Sequence, residues 1–295
     1  LLWNGGIGTY FKASSESHAD AGDATNDSLR VNANELRCRV VGEGGNLGFT
    51  QAGRVEFALL GGRLNTDAVD NSGGVDTSDH EVNLKILLSP MVASGELTYE
   101  SRNALIKELT DEVAQAVLAN NATHARQLSL DQLRSARDPL YYSRAIQWVC
   151  QRSGASRDFL RLPSDEVLRQ RGATGKGLVR PELAVLQAHV KLHVYKSLLD
   201  GDSAHIPSFN ERLLNYFPAK IRAIYPEQVS RHMLAKAIGM TVVLTDVVAD
   251  NGAAFFPTLQ DLTGRHPTEI AGAYLRAAEA FDLAGLRVEL REQCE

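Results

Sequence analysis

The stretch Cys38-Arg39-Val40-Val41-Gly42-Glu43-Gly44-Gly45-Asn46-Leu47-Gly48 decides how the rest of the chain is read. Cys38 to Val41 reads as a short, mostly buried strand that runs straight into a glycine-rich loop. Glycines let a backbone take positive φ and come close to a ligand. Asn46 adds an amide donor and a carbonyl acceptor, a pairing that suits a ribose or a carboxamide. The third glycine of a G-x-G-x-x-G phosphate fingerprint stands one place late, so the bare pattern also fits a plain tight turn.

Working outward, more glycine clusters punctuate the first third of the chain: Gly5, Gly6 and Gly8, then Gly61 and Gly62, then Gly73 and Gly74. Arg63 to Val69 reads as a second, weaker strand. Val55 to Leu60 and Ser78 to Leu88 read as helices. Strands alternating with helices argue for a parallel sheet, and in such sheets ligands bind outside the carboxyl ends of the strands. Asp70 to Glu81 is expected to form a second polar loop at such an end. Ser78 is then expected near a helix N-terminus, where free N–H groups and the helix dipole favour a carboxylate. Capping by Thr77 or Ser78 alone fits the same spacing. Asp76 and Asp79 read as negative charge at that helix start.

From about residue 95 the texture becomes helical. Thr98 is a candidate N-cap with Glu100 in the first turn, followed by Leu105, Ile106, Leu109, Val113 and Val117 at helical spacing. Pro181-Glu182 opens another helix, with Leu183, Leu186, Val190 and Val194 as its apolar stripe. Further helices are expected at about 208–216, 227–250, 258–264 and 267–281. Gly172 to Gly177 is expected to be an exposed loop. The fold class expected is therefore α/β, a partial Rossmann-like parallel sheet over residues 1–94, followed by an all-α helical domain over residues 95–295.

Composition excludes some functions. The chain has 295 residues, a formal net charge of -5 and a pI of about 5.9, so no basic excess attracts nucleic acid or anionic lipid. Cys38, Cys150 and Cys294 are far apart and form no CxxC pair. They read as reduced thiols of a cytoplasmic protein, not as a zinc knuckle or disulfide framework. The apolar run Met240 to Ala249 is broken by Asp246 and is too short to span a membrane. The opening Leu1-Leu2-Trp3-Asn4 lies inside an apolar run without an initiator Met, which reads as part of a longer polypeptide. His189 and His193 are spaced i, i+4 but lack the glutamate of H-E-x-x-H and a third ligand, so a structural role is expected and no metal. Gly175-Lys176 fails the P-loop pattern at positions 170 and 177.

Together these segments resemble one family. Val40-Val41-Gly42-Glu43-Gly44-Gly45-Asn46 is similar to the V-x-E-G-A-N strand and loop of glutamate dehydrogenases. Asn71-Ser72-Gly73-Gly74-Val75-x-x-Ser78-x-x-Glu81 is similar to their N-A-G-G-V-x-x-S-x-x-E segment. Asn4-Gly5-Gly6-Ile7-Gly8-Thr9 and Asp79-His80-Glu81-Val82-Asn83 resemble the large, NAD-specific branch. So do Arg180-Pro181-Glu182-Leu183-Ala184-Val185-Leu186 and Tyr216-Phe217-Pro218 downstream.

The resemblance implies NAD-dependent oxidative deamination of L-glutamate to 2-oxoglutarate and ammonium by a full-length parent, a homo-oligomer. It implies cofactor contacts at Gly44, Gly45, Asn46, Asn71, Gly73 and Gly74, and substrate contacts at Asn71 and Ser78. It leaves the role of Glu43 open. The catalytic lysine and aspartate and the pyrophosphate-binding turn are implied upstream of this chain, so no catalytic residue is expected here and the chain alone is expected to be inactive. Lys85, two turns after Ser78, is not taken for the catalytic lysine. A second reading makes residues 95–295 a non-catalytic helical assembly or regulatory domain of a larger enzyme.

Overall fold

In the computed structural model, which describes residues 1–292, four short strands come first: β1 (Leu2–Asn4), β2 (Phe11–Lys12), β3 (Val31–Asn32) and β4 (Val41–Glu43). They form two parallel pairs. β1 lies beside β4 with Leu2 opposite Val41 and Asn4 opposite Glu43, and β2 lies beside β3. Single bridges join Phe11 to Phe49 and Val40 to Arg63. A small core of Val41, Phe49, Phe57 and Leu64 sits beneath the strands.

The expected strands shift. The first is Val41–Glu43 and not Cys38–Val41, because Val41, Gly42 and Glu43 pair in register with β1, while Val40 only accepts the Leu2 N–H and forms a single bridge to Arg63. The expected strand at Arg63 to Val69 is limited to that bridge. Thr66 takes an extended conformation and a short helix, α2 (Asp67–Asp70), follows it. Two acidic side chains in its first turn suit a helix N-terminus better than a strand. The helix expected at Val55 begins earlier, as α1 (Gln51–Leu59), because Thr50 caps it by accepting the Gly53 N–H at 3.0 Å.

The next correction bears on the site. α3 runs from Ser72 to Ala93, so the expected polar loop from Asp70 to Glu81 is mostly helix and Ser78 lies in its second turn, not at its start. Gly73 and Gly74 are poor helix formers. Tertiary contacts hold them helical: Asn121 donates to the Val69 carbonyl at 2.8 Å and to the Ser72 hydroxyl at 2.9 Å. Thr77 and Ser78 do not cap; their hydroxyls donate to the carbonyls of Gly73 and Gly74. Asp76 accepts a hydrogen bond from Asn120 at 2.8 Å instead of capping the helix.

The remaining helices are α4 (Tyr99–Glu108), α5 (Thr110–Arg137), α6 (Pro139–Ser153), α7 (Asp165–Ala173), α8 (Arg180–Asp200), α9 (Phe209–Tyr216), α10 (Ala219–Ile224), α11 (Pro226–Ser230), α12 (Ala235–Asn251), α13 (Phe255–Thr263), α14 (Pro267–Ala280) and α15 (Leu283–Glu292). Thr98 caps α4 as expected, accepting the Ser101 N–H at 3.1 Å. Pro181 opens α8, whose stripe Leu183, Leu186, Val190 and Val194 is fully buried. The single helix expected at 227–250 is two. His232 interrupts it, accepting the Leu234 N–H on Nδ1 and turning Nε2 to the Asn83 carbonyl.

Two helical cores result. The larger joins Leu128, Tyr142, Trp148, Leu186 and Val247 among others. The second joins Leu84 and Leu87 of α3 with Leu109, Val113, Leu213 and Ile221. No single helix among the described residues is long and apolar enough to cross a membrane. Cys38 and Cys150 are unpaired, and Cys294 lies outside the described residues.

Candidate functional site

Because β1 and β4 are parallel, the turns leaving their carboxyl ends meet at one edge. The N–H groups of Gly44 and Gly45 both donate to the Asn4 carbonyl, at 2.8 and 2.9 Å. A Cβ at Gly45 would run into the Gly6 carbonyl, and one at Gly44 into the Trp3 indole. The glycines are thus required by packing of one turn against the other. Leu47 completes the loop with φ of 63°.

Beneath the loop lies a buried charge cluster. Glu43 is 0% exposed and takes a two-point contact from Arg54 of α1, Nε to Oε1 at 2.7 Å and Nη2 to Oε2 at 2.8 Å. Arg54 also reaches Asp67 at 3.2 Å. Burial pushes the Glu43 carboxyl up; Arg54 pulls it down, and Asp67 and Asp70 push it up again. Asp67 accepts the Leu47 N–H at 2.8 Å, and Asp70 accepts the Glu43 N–H at 3.0 Å. The helix that replaces the expected strand therefore holds the glycine loop from below. From Asp70 the chain of bonds continues: Asn65 donates to it at 2.6 Å, and Arg180 at the head of α8 donates to Asn65 at 2.8 Å.

The two asparagines singled out in the sequence meet. Asn71 Nδ2 donates to Asn46 Oδ1. Asn46 Nδ2 and Asn71 Oδ1 then remain as a donor and an acceptor with no other partner among the described residues. Both asparagines line a crevice of about 870 Å³. One wall is the face of α3 bearing Ser72, Val75, Asp76 and His80, and the other is built by α5, α8, α9 and α12. Gly74 faces open space, and Gly73 has only Val117 near its missing side chain. Ser78 is not part of this crevice. It is exposed on another face of α3, its hydroxyl turned back to the Gly74 carbonyl at 3.1 Å. Lys85 pairs with Glu81 one turn before it.

His80 closes part of the crevice. It is 4% exposed and stacks on Tyr216, with ring centroids 4.4 Å apart. Its Nε2 has no hydrogen-bond partner, and Asp76 Oδ1 lies 3.7 Å away. Burial lowers the His80 pKa, and Asp76 and Asp79 pull it part of the way back. Burial also pushes the Tyr216 hydroxyl up to about 12, against the Asn83 amide that donates to it at 2.9 Å. His189 and His193 belong to no metal cluster; none is found among the described residues. His193 packs edge-on against Trp148.

Sequence reasoning missed Arg54, Asp67 and the whole far wall: Asn120, His124, Lys191 and Tyr216. One signal was readable. The adjacent polar pair Asn120-Asn121 follows the apolar stripe that ends at Val117, and such a pair in a helix needs partners.

Residues 1–131 match the model described as bacterial NAD-glutamate dehydrogenase, catalytic domain, and residues 175–293 match glutamate dehydrogenase, C-terminal. The chain is 44% identical over 283 residues to a protein of Pseudomonas aeruginosa named NAD-specific glutamate dehydrogenase. Proteins of the same name from Mycobacterium tuberculosis and Halomonas elongata are 40% and 42% identical. These alignments cover 96%, 99% and 97% of the chain but only 18% of each relative. Two family models therefore follow one another along the chain, with the asparagine loops inside the first and the far wall split between them: residues 1–131 belong to the bacterial NAD-glutamate dehydrogenase catalytic domain and residues 175–293 to the glutamate dehydrogenase C-terminal domain.

Proposed function

We propose that the chain is part of an NAD-dependent glutamate dehydrogenase that converts L-glutamate and water to 2-oxoglutarate and ammonium. In this reading residues 1–94 complete a Rossmann-like cofactor domain and residues 95–295 form the helical C-terminal domain. The observation that carries it is the bond between Asn46 and Asn71. The free amide donor of one and the free carbonyl of the other complement a primary carboxamide, so the residues present fit the nicotinamide end of NAD. Bound there, NAD would accept the hydride from the glutamate α-carbon. The protein's part is to fix the two amides, through Asp67 on the loop and Asn121 on α3. Ser78 takes its proposed role toward the side-chain carboxylate of glutamate only where residues outside this chain complete the pocket. The lysine and aspartate needed for proton transfer belong to those residues too. A cytoplasmic homo-oligomer is part of the same proposal, supported by the unpaired Cys38 and Cys150 and by the exposed Leu118 and Leu133 of α5.

Asn71→Ala in the full-length protein removes an acceptor and leaves Asn46 loose. kcat/KM for NAD is expected to fall about tenfold to a hundredfold, the worth of one or two buried hydrogen bonds. Steady-state kinetics at saturating glutamate measures it. Unchanged kcat and KM would overturn the assignment.

The helical domain as an assembly scaffold is a second reading. It is favoured by the larger core, which draws its buried residues from positions 128 to 275 and none from the strands.

A further inference from the structure

Lys191 stands in the far wall of the crevice, half-buried on α8. Its Nζ lies 3.1 Å from His124 Nε2 of α5, and that is its one polar contact among the described residues. The carboxylates that share the crevice are occupied or outlying. Asp67 holds Arg54, Asp246 holds Arg212 at 3.1 Å, and Asp76 holds the Asn120 amide. Asp79 is exposed. A lysine without a counter-charge is not locked as an ammonium ion. Burial lowers its pKa to about 8, and burial followed by the Lys191 charge lowers that of His124 to about 4, with Asp76 opposing. His124 is therefore a neutral imidazole beside an amine.

We propose that Lys191 is a carbonyl-reactive amine, and that the crevice takes up a small uncharged aldehyde that Lys191 holds as a reversible imine. The Nζ lone pair attacks the carbonyl carbon, and the C–N bond forms as the C=O π bond opens. His124 Nε2 accepts the proton leaving Nζ and returns it to the former carbonyl oxygen. That oxygen departs as water with a second proton from nitrogen, giving C=N. Amine and aldehyde become imine and water, with no change of oxidation state. An uncharged ligand is specified because the lining carries more carboxylates than cations: Asp67, Asp76, Asp79 and Asp246 against Lys191 and Arg212. The wall between them is apolar, with Val75, Ala116 and Val242. Lys191 and His124 line the same crevice as Asn46 and Asn71 but are not among the proposed contacts of NAD or glutamate.

The test uses the full-length protein, glycolaldehyde and cyanoborohydride at pH 7, with the trapped adducts mapped by peptide mass. The exposed Lys196 on the same helix is the internal control. At pH 7 an amine of pKa about 8 has roughly 300 times the free base of an ordinary lysine. Lower basicity and partial burial reduce that advantage, and Lys191 is expected to label at least about tenfold faster than Lys196. Equal labelling overturns the proposal. His124→Leu is expected to slow Lys191 several-fold and leave Lys196 unchanged; an unchanged Lys191 rate overturns the relay. Glyoxylate, which adds a carboxylate, is expected to label more slowly, and faster labelling overturns the choice of an uncharged ligand.

Discussion

Arg54→Met is expected to cost about 3–5 kcal/mol of stability at pH 7, the usual consequence of leaving a buried charge without its partner. Glu43 has no water to turn to, being 0% exposed. Its other neighbours, Asp67 and Asp70, carry the same charge. The loss also frees Asp67, which holds the Leu47 N–H, so the loop bearing Asn46 loosens with the fold. The pH dependence has a definite sign. Without Arg54 every remaining influence raises the Glu43 carboxyl: burial first, then the two aspartates. A carboxyl whose folded pKa lies above its unfolded value of about 4.3 favours the folded state at low pH, and that advantage is lost as pH rises through the folded pKa. The deficit of the variant is therefore smallest near pH 4 to 5 and grows toward neutrality. Urea unfolding of the wild type and variant at several pH values measures it. In the double variant Glu43→Gln/Arg54→Met the unpaired charge is gone, so part of the stability and the extra pH dependence should be recovered. A double variant as unstable as the single one, with the same pH profile, would refute the buried-charge account.

What was legible in the sequence was local. Thr98, Pro181 and the stripe from Leu183 to Val194 each carry their structural message within a few residues, and each holds. The glycine loop and its asparagine were also readable, because a run of glycines after an apolar segment has few other uses. The helix start at Ser72 was not. By propensity Gly73 and Gly74 belong to a loop, and they are helical because Asn120 and Asn121, some fifty residues later, grip α2 and α3. That shift carried Ser78 off the helix N-terminus and separated it from the asparagines. Glu43 was noticed without a role, since nothing in the sequence sets its partner Arg54 apart from Gln51 and Glu56 on the same helix. The far wall needed four helices brought together, and no single segment announces that.

Removing residues 1–94 is expected to leave a chain that does not fold cooperatively, while a chain beginning at Ser72 does. α3 places Leu84, Leu87, Leu88 and Met91 in the interior, all under a tenth exposed. Leu84 and Leu87 share one core with Leu109, Val113, Leu213 and Ile221 from helices that follow residue 95. Burying one such side chain contributes about 1.5–3 kcal/mol, so deleting four withdraws roughly 8 kcal/mol. That is comparable to the whole stability of an ordinary domain. The same deletion strands Tyr216 and His232, whose partners Asn83 and His80 lie on α3. Chains 72–295 and 95–295 should therefore differ qualitatively under circular dichroism and thermal melting: the longer one shows a sharp transition, the shorter one a gradual loss of helix. Sharp melting of the shorter chain at the same midpoint would mean that α3 is an accessory to the helical body. The crevice would then be a joint between two independent units and not a cleft within one. Only in the expected case does α3, which carries Asn71 at its N-terminal end, transmit the packing of the helical region to the residues proposed to hold the nicotinamide.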